Sequence, residues 1–73
     1  MDNYCDVCAL WDDDAAMAAD VGASEGAVQK WRLRDKIPAG WWQAVVDATK
    51  QRQFEGVTLE VLADIAARKR EAA

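Results

Sequence analysis

The chain has 73 residues, 52% of them hydrophobic, with 9 basic and 13 acidic side chains and a formal net charge of −4. A core of that size seldom supplies more than about 3–5 kcal/mol of net stability, so a single domain over residues 1–73 is expected, with a partner subunit as a source of further stability. Four tryptophans and the high apolar fraction exclude a disordered chain, no apolar run approaches the roughly 20 residues that span a bilayer, and no basic segment followed by an apolar stretch opens the chain, so the expected compartment is the cytoplasm.

"YCDVCALW" places Tyr4, Val7, Cys8 and Trp11 at the i, i+3, i+4, i+7 spacing of one helical face and predicts a first helix. Cys5 and Cys8 form a C-x-x-C within it. A zinc site normally takes four ligands, yet the sequence has no His and no third Cys, and the strand context of a redox dithiol is missing. Both are expected as ordinary apolar residues of that helix, with a zinc shared across a dimer as the remaining alternative; no metal or cofactor is expected. The run Asp12-Asp13-Asp14 is a cluster of N-cap formers, so Asp12 or Asp13 is expected to accept the free amides of a second helix whose acidic first turn suits its dipole.

Ala15 to Val21 continues as a short alanine-rich helix that closes at Gly22, and Ser24 offers the N-cap of a third helix carrying Val28, Trp31 and a further apolar residue, Leu33. Two short helices cross steeply through so short a turn only if the turn allows positive φ and the facing side chains are small. Gly22 meets the first condition and Ala18 the second. Ala18, Gly22, Val28 and Trp31, with apolar Met17, Val21 and Ala23, resemble the helix-turn-helix of small phage repressors of the lambda Cro type. Further on, "AVQKWRLRDKIPAGWW" resembles a subset of Cro-like and YdaS-like regulators with the pattern "V..W..RG.IP...W"; here Asp35-Lys36 replaces the usual glycine-containing link, so a loop of different shape is expected after the third helix. The resemblance covers about Ala15 to Trp42, and the bland alternative is an αα-hairpin that merely packs.

That resemblance implies an all-α, lambda repressor-like fold: a small five-helix bundle with its helix-turn-helix over about residues 13–34. It also implies that the third helix enters the major groove by its N-terminal residues while the second crosses the backbone. With Val28 and Trp31 facing inward, Ser24, Glu25, Gly26, Gln29 and Lys30 become the expected base-contacting residues. Gln29 suits adenine, Lys30 guanine and Glu25 the cytosine amino group; a first-turn acid favoured by the helix dipole accounts for Glu25 equally well. Arg32, Arg34 and Lys36 are expected at phosphates.

The charge is segregated in a way that fits. Residues 1–26 hold seven acids and no Lys or Arg, whereas residues 27–54 hold six bases against Asp35 and Asp47. An anionic polymer responds to the local field of that basic segment, within a Debye length of roughly 8 Å at physiological salt.

Pro38 ends the segment, with Ile37 expected to staple into the core. A fourth helix over about 39–53 carries Trp42, Val45, Val46 and Thr49 on one face and Trp41, Ala44 and Ala48 on an adjoining one. A fifth, over about 58–70, starts at Thr58 as N-cap and buries Leu59, Leu62, Ile65 and Ala66, with Val61 at the margin. The apolar surplus over these two helices predicts a homodimer surface at Trp41, Val61 and Ile65. Without His, a phosphate-binding loop or a nucleophile beside a base, no enzyme and no small-molecule substrate is expected. The expected function is sequence-specific binding of a palindromic operator in double-stranded DNA by a small dimeric repressor of phage or mobile-element type. The alternative is an interaction module, an antitoxin or anti-repressor, whose acidic N-terminal half binds a basic protein.

Overall fold

Asn3, Asp13, Ser24 and Thr58 each accept, through their side chains, the amide three residues on: Asp6 at 2.9 Å, Ala16 at 2.7 Å, Ala27 at 3.1 Å and Val61 at 3.1 Å. These caps start four of the five α-helices in the computed structural model, which describes residues 2–72: α1 Tyr4–Cys8, α2 Asp14–Val21, α3 Glu25–Arg34, α4 Trp42–Gln51 and α5 Leu59–Ala72. A 3-10 turn, Ala39–Trp41, leads into α4. The described residues are all-helical with no strand, and the helices form a small bundle in which α2 packs mainly on α3 and α4, α1 on α3, and α5 on α4.

Left-handed residues close α2 and α3. Gly22 sits at φ 81°, and both its own amide and that of Ala23 return to the Ala18 carbonyl, at 2.9 and 3.0 Å. Asp35 ends α3 at φ 49°, with the Lys36 amide on the Trp31 carbonyl at 3.0 Å. The loop after α3 thus opens on an aspartate in the left-handed conformation, which Asp adopts more readily than most residues.

The core collects Tyr4, Val7 and Cys8 from α1, Met17 and Val21 from α2, Val28 and Trp31 from α3, Val45 and Val46 from α4, and Leu62 and Ile65 from α5, together with Trp11, Ile37 and Val57 from the connections. Among the described residues Thr49 is the buried polar one, and its hydroxyl donates to the Val46 carbonyl at 2.7 Å. No helix among the described residues is long and apolar enough to cross a membrane.

Four expectations are corrected here. The first helix stops at Cys8, and Trp11 reaches the core from the turn after it, where the Leu10 and Trp11 amides bond three residues back, to Val7 and Cys8. Leu33 is 80% exposed and Leu59 44%, so neither belongs to a buried stripe. Leu59 is the first residue of α5 and lies between the buried Val57 and Leu62 without sharing their burial. Trp42, expected inside, is half-buried with its indole N–H donating to the Ile37 carbonyl at 2.8 Å.

Candidate nucleic-acid interface

Helix α3 divides its residues by periodicity. Val28 and Trp31 point inward and are buried, while Gly26, Gln29, Lys30 and Leu33, which recur at helical spacing on the opposite side, are all exposed. They form an outward ridge. Beside it, Lys30, Arg34 and Lys36 line a groove of about 500 Å3 walled by Ser24, Gly26, Ala27, Trp31 and Pro38. Among the described residues the ion pairs use Arg32, Arg52, Arg68 and Lys69, so the three cations of this groove stay free of carboxylates. Gly26 has open space around it: a Cβ built there meets nothing within 4 Å. Packing inside the chain therefore gives no reason for glycine in a helix, where it is less favourable than alanine by roughly 0.5–1 kcal/mol.

The remaining expected residues divide. Glu25 is exposed in the first turn of α3, and Ser24 spends its oxygen on the Ala27 amide, leaving its hydroxyl proton as a donor. Arg32 does not fit a phosphate contact. Its guanidinium pairs with Asp14 and donates to the Cys8 carbonyl at 2.9 Å, tying α3 to α2 and α1 from the inner side. Trp41 and Val61 are half-buried, Trp41 resting against Trp31 with ring centroids 5.7 Å apart. Ile65 does not fit an interface: it is fully buried within its own chain at 0% exposure.

Two polar clusters hold this face in place. Asp35 accepts the Cys5 amide at 3.0 Å and the Lys69 ammonium at 2.9 Å, so the end of α3 is clamped to both terminal helices. Burial pushes its carboxyl up, but the Lys69 and Cys5 hydrogen bonds outweigh that and hold it below the usual carboxylate range. Asp20 accepts Arg52 at 2.7 Å and the Trp11 indole N–H at 2.7 Å, and these bonds, Arg52 first, lower its pKa. Arg52, placed by sequence in the positive surface, is thus engaged in joining α2 to α4. Phe54 packs edge-on against Trp11 at 5.3 Å, completing that corner. Burial raises the Cys8 thiol to about 11, which makes it a poor nucleophile.

Sequence inspection missed Asp14, Asp20, Asp35 and Lys69 as positioning residues. Their partners lie 9 to 34 residues away, beyond any local pattern. Leu33, expected alongside Val28 and Trp31, lies three residues after Lys30 and four after Gln29, the spacing that puts it on their face. Compared with known proteins, the chain matches no family model, and no curated protein or solved structure matches it at a significant level.

Proposed function

We propose that the chain binds double-stranded DNA sequence-specifically, with α2 and α3 acting as a helix-turn-helix and the α3 ridge entering the major groove, and that it serves as a small transcriptional repressor of the Cro-like kind its sequence resembles. What carries this is one conjunction at α3 and the loop after it: an exposed ridge of Gly26, Gln29, Lys30 and Leu33, continued by Arg34 and Lys36, whose three cations no carboxylate among the described residues neutralises. Gln29 and Lys30 supply donor and acceptor groups for base edges, and Arg34 and Lys36 supply charge for phosphates. The acidic N-terminal residues keep the net charge negative but are drawn off in part by Arg32, Arg52 and Arg68.

One short helix makes too few base contacts to select an operator among roughly 10⁶–10⁹ competing sites, so the active species is a two-fold dimer with its α3 helices about 34 Å apart on one side of the duplex. Extents of 32 × 24 × 20 Å suit a side-by-side pair with that spacing. Half-buried Trp41 and Val61 offer apolar surface for its contact.

The test is selection of bound duplexes from a random pool, read for a palindrome, followed by sedimentation and a salt titration on the winner. A dimer on a palindrome, with affinity falling steeply as salt rises, is expected. No enriched sequence would move the assignment to a protein-interaction module.

A further inference from the structure

Leu33 is 80% exposed, whereas Met17, Val21, Val28 and Trp31, the other large apolar side chains of α2 and α3, are all buried. It stands on the outward ridge of α3 with Gly26, Gln29 and Lys30, and nothing in the core uses it. We infer that Leu33 determines specificity by packing on the C5-methyl group of a thymine in the major groove. The inference rests on the DNA-binding assignment above.

The chemistry around Leu33 narrows the ligand. Free cations at Lys30, Arg34 and Lys36 favour an anionic polymer, and the thymine methyl is the apolar group that base edges present in the major groove. Along the helix axis, at about 1.5 Å per residue, Leu33 lies about 6 Å beyond Gln29 and about 10 Å beyond Gly26. With base steps of roughly 3.4 Å, the thymine falls one or two steps from the base Gln29 reads, toward the C-terminal end of α3.

Replacing each thymine in turn by deoxyuridine in the duplex selected from the random pool removes the methyl and nothing else. At one position per half-site, in the register given above, the wild-type protein is expected to bind about fourfold more weakly, the equivalent of one exposed methyl group. Leu33→Ala, which removes the contact from both half-sites of the dimer, should keep the wild-type melting curve, bind the thymine duplex at least about fifteenfold more weakly, and show no further loss with deoxyuridine. If no deoxyuridine position matters while the duplex is still selected over random DNA, the thymine contact is wrong and the DNA assignment stands. If Leu33→Ala loses affinity equally on both duplexes, or changes the sedimenting species, Leu33 touches protein and the inference fails. Absence of any selected duplex overturns both.

Discussion

Asp35 and Lys69 meet at 2.9 Å, joining the left-handed residue that ends α3 to the last turns of α5. The same carboxylate receives the Cys5 amide at 3.0 Å, so one residue closes α3 through its backbone and, through its side chain, ties α1 and α5 to that end. Because its pKa, like that of Asp20, lies below the usual carboxylate range, the charged form is the one that stabilises the fold. A lowered folded-state pKa contributes stability that is present above the unfolded value of about 3.9 and is lost as pH falls through the folded value.

Asp35→Asn isolates that charge, since Asn tolerates the left-handed conformation equally well. It is expected to cost about 1 kcal/mol near neutral pH, discounted for the exposure of the pair. The variant should also lose less stability than the wild type when denaturant midpoints at about pH 6 and about pH 2.5 are compared. An identical pH dependence in the two proteins would mean that Asp35 carries no net electrostatic role.

Trp31 is 5% exposed and rests on Trp41. Trp31→Ala should cost about 3–5 kcal/mol, most of what a domain this small possesses. Thermal melts followed by circular dichroism measure it. A transition only slightly below that of the wild type would show that the α3 contact with the core is dispensable.

Gly26→Ala separates binding from folding. With nothing within 4 Å of the added Cβ, the fold should be unchanged or stabilised by up to about 1 kcal/mol, because alanine suits a helix better. A methyl group on the ridge obstructs close approach of the duplex. Affinity for the selected operator, measured by fluorescence anisotropy, is expected to fall by an order of magnitude, corresponding to roughly 1.4 kcal/mol. Undiminished affinity would remove α3's first turn from the interface.

Gln29 and Arg34 should fail in different ways. Gln29→Ala should lose about 1–3 kcal/mol of preference for the operator while retaining non-specific binding. Arg34→Ala should weaken all sequences alike and flatten the salt slope by about one unit. Competition titrations with operator and random duplexes at several salt concentrations resolve the two behaviours; equal losses on both DNAs for Gln29→Ala would exclude it as a reader.

Local chemistry made much of the architecture legible in the sequence. Asp13, Ser24 and Thr58 cap helices because a short side-chain oxygen reaches an amide three residues on, and Gly22 closes α2 because glycine takes positive φ without strain. Apolar periodicity placed Val28 and Trp31 inside and Gln29 and Lys30 outside for the same reason: side-chain direction repeats with the helical turn. Tertiary structure alone decided the fate of the charges and the helix edges. Arg32 and Arg34 are two residues apart in one basic run, yet Arg32 turns in to Asp14 and the Cys8 carbonyl while Arg34 remains free in the groove. Ile65 and Leu59 share an apolar stripe, but only Ile65 lies where α5 meets the core. Which polar atom finds a partner, and which apolar residue finds a neighbour, depends on the approach of segments distant in sequence, and no local spacing records that approach.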